Sequence, residues 1–172
     1  SALVMAISRS ASSTPARSKV SLEAQLPETA MVEGNYPEFR DLYLNGERLQ
    51  LARSEEYTYK KSFKDPYYLN GELKGFSNWI YVDNTIFKNI TNDNLSTLEL
   101  VNNYDFKNQH WRIAELHGIE ASTGLMQISA REGDFKYMSD GNWKLYEDMP
   151  YWFENHISLL DEPGEFYYDD TN

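Results

Sequence analysis

Residues 39–53 read FRDLYLNGERLQLAR and residues 153–169 read FENHISLLDEPGEFYYD, and these two stretches decide the fold of the chain. In each stretch a tight-turn signal separates two runs that are rich in apolar residues. Asn-Gly in the first suits a two-residue type I′ turn, and Pro-Gly in the second suits the centre of a type II turn. Apolar runs joined by such turns are typical of β-strands. Both stretches therefore predict sheet structure.

The turn at Asn45-Gly46 also predicts which residues face each other across the first hairpin, because its loop has two residues. The expected cross-strand pairs are Leu44–Glu47, Leu42–Leu49, Tyr43–Arg48 and Arg40–Leu51. The leucines then share one face of the hairpin. On the other face, the Tyr43 ring and the Arg48 guanidinium come close enough for a cation–π contact.

The region between the two stretches predicts further short strands. Turn signals recur about every ten residues, and the runs between them alternate apolar and polar residues, a pattern typical of a sandwich or barrel. The expected strands are Val20–Leu26, Leu95–Val101, Trp111–Leu116 and Leu125–Ala130, with hairpins at Asn70-Gly71 and Asp140-Gly141. No long amphipathic helix is found. The predicted fold is all-β, with an antiparallel β-sandwich or jelly-roll-like body.

Composition excludes several classes of function. The 172 residues carry a net charge of −11, which repels phosphate backbones and anionic membranes, so neither nucleic acid nor membrane is an expected partner. The chain has no cysteine, which excludes disulfides and thiol chemistry. It shows no recognisable signal peptide, and no apolar run approaches the roughly 20 residues that span a bilayer.

No cofactor or metal site is predicted. The chain contains no Walker loop, dinucleotide fingerprint, HExxH, EF-hand or GxSxG pattern. The three histidines, His110, His117 and His156, are isolated in sequence. A calcium site among Asp140, Glu147 and Asp148 has no loop pattern to support it.

An aromatic cluster supplies the candidate binding residues. The proposed carbohydrate contacts are Asn142, Trp143, Tyr146, Tyr151 and Trp152. Aromatic rings cover the apolar C–H face of a sugar, while amide and carboxylate groups bind its hydroxyls. The alternative is that Trp143 and Trp152 fill the core or seal the seam between two units.

Residues 39–53 and 152–169 resemble paired motifs of bacterial proteins built on a right-handed parallel β-helix, a group that includes extracellular glycoside hydrolases. The matches to the first motif are Phe39, Arg40, Leu42, Tyr43, Asn45, Gly46, Arg48, Ala52 and Arg53. The matches to the second are Glu154, Asn155, Leu159, Leu160, Asp161, Glu162, Pro163, Gly164, Glu165, Tyr167 and Asp169. Two departures are Ser54-Glu55 where that family has Pro-Asn, and Phe166 in place of Trp.

The resemblance implies a division of the chain. Ser-rich composition predicts a flexible lead-in at 1–18, and the resemblance assigns leading strands and a hairpin of the β-helix scaffold to 19–53. An inserted β-sandwich module occupies 54–150, and return strands occupy 151–172. In such proteins the catalytic carboxylates lie on later coils. The resemblance therefore implies a non-catalytic accessory module, structural or glycan-contacting, of a secreted or cell-surface bacterial enzyme.

Two other functions stay open. Paired carboxylates of this chain could form part of a hydrolase cleft, although spacing along a β-protein does not identify the pair. The chain could also be a protein-interaction module. Its expected partners are an oligo- or polysaccharide and the remainder of the parent β-helix chain. Strand edges that lack their neighbouring coils also predict a dimer.

Overall fold

The computed structural model describes residues 1–9, 22–61, 66–69, 72–76, 79–104, 107–131 and 145–171. These residues form thirteen β-strands and three short 3-10 helices, so the all-β prediction is confirmed. The strands are β1 Leu3–Ala6, β2 Leu22–Gln25, β3 Leu42–Leu44, β4 Glu47–Leu51, β5 Tyr57–Thr58, β6 Pro66–Leu69, β7 Glu72–Phe76, β8 Trp79–Val82, β9 Glu99–Tyr104, β10 Lys107–Ile119, β11 Met126–Ala130, β12 Pro150–Glu154 and β13 Glu165–Asp169. The 3-10 helices are Glu28–Ala30, Thr85–Lys88 and Ile157–Leu159.

The chain divides into two compact units. Unit 1 comprises Ser1–Ser54 and Glu154–Asn172, and unit 2 comprises Glu55–Phe153. The sequence-based division placed the inserted module at 54–150. Whether that module is a sandwich or jelly roll stays a prediction.

Unit 1 is built on a five-stranded sheet with the order β2-β1-β13-β4-β3. Strand β13 pairs antiparallel with β1 and parallel with β4, where Glu165 lies opposite Gln50 and Phe166 opposite Leu51. The two stretches that decide the fold therefore contribute neighbouring strands. Among the described residues, β2 and β3 form the edges of this sheet.

The β3–β4 hairpin has the predicted turn and most of the predicted register. Asn45 and Gly46 both adopt positive φ, at 53° and 82°. The observed pairs are Leu42–Leu49, Tyr43–Arg48 and Leu44–Glu47. Two details differ. Strand β3 begins at Leu42, so the predicted Arg40–Leu51 pair is not part of the ladder. The Arg48 guanidinium, which was predicted to contact the Tyr43 ring, donates a hydrogen bond to the Asp41 carboxylate at 2.6 Å.

Part of the predicted flexible lead-in is ordered sheet. Strand β1 lies inside the lead-in assigned to 1–18, but it pairs with β2 on one side and β13 on the other. Two ladders of backbone hydrogen bonds explain why a short segment near the chain start forms a strand. The remainder of the lead-in, 10–18, lies outside the described residues.

The core of unit 1 lies on one face of this sheet. Its buried side chains alternate along β1, β4 and β13, as period-two strands require: Ala2, Val4, Ala6, Leu49, Leu51, Phe166 and Tyr168. Phe39 stacks on Phe166, with ring centroids 5.9 Å apart, and packs against Tyr168 at 4.2 Å with an angle of 37° between the planes. The apolar residues of both quoted stretches thus meet in one cluster.

The predicted type II turn at residues 162–165 is supported by the backbone. Gly164 has a φ of +95°, and the Glu165 N–H donates to the Glu162 carbonyl at 3.3 Å. The residues that enter the turn are not a strand, however. Ile157–Leu159 forms a 3-10 helix, which His156 caps by accepting from the Ser158 N–H. The local side-chain cap competes with strand pairing here.

Unit 2 contains a six-stranded sheet with the order β5-β12-β9-β10-β11-β8. The long strand β10 pairs with β9 through its first half and with β11 through its second, where two register shifts mark bulges. Strands at Trp111–Leu116 and Leu125–Ala130 are confirmed. The run from Leu95 becomes strand only at Glu99, because the Leu98 N–H bonds the Leu95 carbonyl in a turn.

Strands β6 and β7 form a separate hairpin in unit 2, separated by the two residues Asn70-Gly71. Asn70-Gly71 itself and the hairpin predicted at Asp140-Gly141 lie outside the described residues. Consecutive residues of β9 and β12 are buried, so the buried side chains of the larger sheet lie on both of its faces there. The fully buried side chains of this sheet include Ile80, Val82, Leu100, Ile113 and Ile128.

Candidate functional site

The structure separates the binding residues that the sequence predicts. Tyr151 is 1% exposed and Trp152 is 8% exposed, whereas Tyr146 is 57% exposed. Asn142 and Trp143 lie outside the described residues. A buried ring offers no free face to a ligand from solvent, so the assignment of Tyr151 and Trp152 as sugar contacts is corrected to core packing.

Tyr151 belongs to an aromatic stack inside unit 2. Its ring lies 4.3 Å from that of Tyr59 and packs edge-on against Phe153 at 5.9 Å. Its hydroxyl accepts a 2.7 Å hydrogen bond from the Asp83 N–H. Burial raises the pKa of the Tyr151 hydroxyl, which is the expected effect of removing a phenol from water. This ring stabilises the fold.

One face of the larger sheet of unit 2 places the exposed Trp79 ring near polar side chains and beside Tyr81, which is 8% exposed. Side chains alternate across a sheet, and the inward positions of β8 and β11 are filled by Ile80, Val82 and Ile128, which are fully buried. The intervening residues therefore lie on the opposite face. We call this surface the outer face; it comprises Trp79, Tyr81, Gln127, Ser129, Glu115 and His117, with Lys61 and Glu120 beside them.

The strand register aligns three of these residues in one row. Ser129 on β11 is opposite Trp79 on β8 and opposite Glu115 on β10. Because neighbouring strands are about 4.8 Å apart, the row spans about 10 Å. Trp79 at one end is 41% exposed, and the Glu115 side chain at the other end is 60% exposed. Both ends of the row are accessible from solvent.

His117 holds the Trp79 ring in place. The imidazole stacks on the indole with centroids 4.8 Å apart and an angle of 26° between the planes. Its Nε2 lies 3.1 Å from Ser129 Oγ, and its Nδ1 lies 3.9 Å from Glu115 Oε1. The contact of Nε2 with Ser129 restricts the imidazole, and the stack in turn restricts the indole. The exposed tryptophan is thus preorganised.

Lys61 covers the second aromatic residue of the face. Its ammonium lies 3.8 Å from the centroid of the Tyr81 ring and donates to Glu120 Oε1 at 3.2 Å. Hydrogen bonds from the Thr123 hydroxyl, at 2.6 Å, and from Lys61 lower the pKa of the Glu120 carboxyl. Glu120 is therefore ionised at neutral pH, and it compensates the Lys61 charge.

The Glu115, His117 and Ser129 side chains superficially resemble the elements of a nucleophile relay. A catalytic serine must reach its substrate and needs a base that a third group orients by a hydrogen bond. Ser129 is only 5% exposed, and the 3.9 Å between His117 and Glu115 exceeds hydrogen-bond length. These contacts position the imidazole; they do not expose a nucleophile.

Two further carboxylates in buried surroundings have structural partners. In unit 2, Glu99 lies 3.7 Å from Arg112 Nε and 3.5 Å from His110 Nδ1. In unit 1, burial raises the pKa of Glu165, and its oxygens accept from the N–H groups of Asp161, Glu162 and Arg53 at 3.3–3.4 Å. Glu165 therefore anchors the turn before β13.

Sequence reasoning missed Trp79 and His117. A signal for Trp79 was available, because Trp79-Ile80-Tyr81-Val82 alternates aromatic and aliphatic residues, as expected of a strand with two differently used faces. No such signal existed for His117. It looked isolated because its partners, Trp79 and Ser129, are on other strands.

No protein-family model, curated protein or solved structure matches this chain. Within the described ranges, no helix has the length and apolar character needed to cross a membrane.

Proposed function

We propose that this chain is a non-catalytic, glycan-contacting module of a secreted bacterial β-helix glycoside hydrolase, and that the outer face of unit 2 binds the glycan. The observation that carries this proposal is Trp79, an exposed indole held by His117 within a row of polar side chains.

The chemistry of the outer face suits a sugar. An indole packs against the apolar C–H face of a pyranose and removes both surfaces from water. Glu115 accepts hydrogen bonds from hydroxyls, and Gln127 both donates and accepts. A ring that is already restrained loses little conformational entropy on binding, which favours affinity.

The pairing in unit 1 supports the β-helix parent. The two stretches that resemble the β-helix motifs form strands β4 and β13, and these two strands pair in parallel. Successive coils of a parallel β-helix pair in the same sense. The hydrogen bonds from the Gln50 N–H to the Gly164 carbonyl, at 2.9 Å, and from the Ala52 N–H to the Phe166 carbonyl, at 2.7 Å, join the two stretches directly.

Binding is tested on a glycan array, followed by calorimetric titration with each oligosaccharide that binds. Trp79→Ala should weaken binding at least tenfold, because it removes the stacking surface. Tyr43→Ala is the matched control, since Tyr43 is an exposed aromatic residue of a strand in unit 1. Tyr146→Ala tests the exposed member of the sequence-based cluster and should have little effect.

Two results would contradict the proposal. One is the absence of binding to any glycan of the array by the wild-type chain. The other is a Trp79→Ala variant that binds as tightly as the wild type, with Tyr146→Ala or Tyr43→Ala showing the loss instead.

A further inference from the structure

The charges of the outer face point to the class of glycan that it accepts. Lys61 is a cation on this face, but its ammonium is already paired with Glu120 at 3.2 Å and lies over the Tyr81 ring. Glu115 is a second carboxylate on the face, and its side chain is 60% exposed. Within the described residues, no lysine or arginine pairs with the Glu115 carboxylate, whose neighbour is His117 Nδ1 at 3.9 Å.

The Glu115 carboxylate is close enough to the Trp79 ring to contact a sugar chain that stacks on that ring. Its carboxylate lies 3.9 Å from the imidazole that stacks on Trp79, and it is in register with Ser129 at the centre of the row. A sugar chain that extends from Trp79 along the row places its substituents near this carboxylate. The whole chain adds to the effect, because its net charge is −11.

We infer that the outer face selects uncharged glycans and discriminates against glycans that carry carboxylates or sulfates; this inference rests on the proposed function. The hydroxyls of a neutral sugar donate hydrogen bonds to Glu115. A uronate in the same position replaces a hydroxyl donor with a carboxylate, which the Glu115 carboxylate repels. Two unit charges about 4 Å apart in water repel enough to weaken binding about fivefold.

The inference is tested with oligosaccharides that differ only in charge. Neutral 1,4-linked gluco-, manno- and galacto-oligosaccharides are each compared with their C6-oxidised, uronate forms of equal length, by titration at low salt. Every neutral oligosaccharide that binds should bind about fivefold more tightly than its uronate form. The ratio should shrink at 1 M salt, where the Debye length falls to about 3 Å.

Glu115→Gln removes the charge and retains the shape of the side chain. The ratio of neutral to uronate affinity should fall from about fivefold towards unity in this variant. Glu23→Gln, at an exposed position on β2 of unit 1, is the control and should leave the ratio unchanged.

The outcomes separate the inference from the proposed function. If no oligosaccharide binds, the proposed function fails. If neutral oligosaccharides bind but their uronate forms bind equally or more tightly, only the inference fails.

Discussion

Replacement of Asn155 should be among the most damaging single changes in unit 1. This residue is 4% exposed and has a φ of 58°, a left-handed conformation that asparagine tolerates better than most residues. Its side-chain Nδ2 donates to the Tyr168 carbonyl at 2.8 Å, and its Oδ1 accepts from the Tyr168 N–H at 2.9 Å. The Asn155 amide thus makes the two hydrogen bonds to Tyr168 that a neighbouring strand would make. Strand β4 pairs with Glu165 and Phe166, which come earlier in β13.

The magnitude follows from the groups that would lose a partner. Asn155→Ala leaves a buried N–H and a buried carbonyl of Tyr168 without their bonds, and each costs about 1–3 kcal/mol. Alanine at positive φ adds about 1 kcal/mol. The expected loss is about 3–7 kcal/mol, a large fraction of the roughly 5–15 kcal/mol that stabilises a typical domain.

Two further variants separate these contributions. Asn155→Gly relieves the backbone strain but still removes both bonds, so it should lose about 1 kcal/mol less than alanine. Asn155→Asp keeps the acceptor for the Tyr168 N–H, but it places a carboxylate oxygen against the Tyr168 carbonyl. Burial raises the pKa of that new carboxyl group. Its protonation supplies a donor again, so the aspartate variant should regain stability as the pH falls.

The assay is hydrogen–deuterium exchange of the peptide that covers residues 165–169, measured with increasing denaturant. All four tryptophans are in unit 2, so tryptophan fluorescence reports that unit in the same samples. An Asn155→Ala variant whose exchange in this peptide indicates a loss below about 1 kcal/mol would refute the reasoning, because the two bonds would then contribute nothing.

Two other predictions concern ionisation and backbone conformation. Burial and the nearby Glu55 carboxylate raise the pKa of Tyr57 to about 12, and burial also raises the pKa of Tyr151. The folded state therefore favours the neutral phenols, so the stability of the fold should decrease as the pH rises above the ordinary tyrosine pKa near 10. Spectrophotometric titration should show fewer tyrosines ionised at pH 11 in the native than in the denatured protein, and equal numbers would contradict the shifts. Gly164→Ala and Gly46→Ala both place a side chain at positive φ, and at Gly164 the new Cβ also meets the far end of the exposed Arg9 side chain. Because the flexible end of Arg9 can move away, thermal unfolding should show a similar loss of roughly 1 kcal/mol for both variants, and a clearly larger loss at Gly164 would show that Arg9 is held in place.

The sequence alone determined the features that depend on near neighbours. Asn45-Gly46 predicted the β3–β4 register, because a two-residue turn leaves one way to pair the flanking residues. Pro163-Gly164 predicted the turn before β13, because only glycine takes positive φ without strain. The alternation of apolar residues predicted an all-β chain, since one buried face per strand imposes a period of two.

Only the tertiary structure decided which rings face solvent and which side chains meet. Tyr151 and Trp79 are both aromatic residues of strands, yet one is buried and the other exposed, because the position of neighbouring strands determines which face is covered. His117, Ser129 and Trp79 lie on three strands and are up to 50 residues apart. Their contact depends on the order of the strands in the sheet. Local sequence carries no information about that order, because the hydrogen bonds between strands join backbone groups that are the same in every residue except proline.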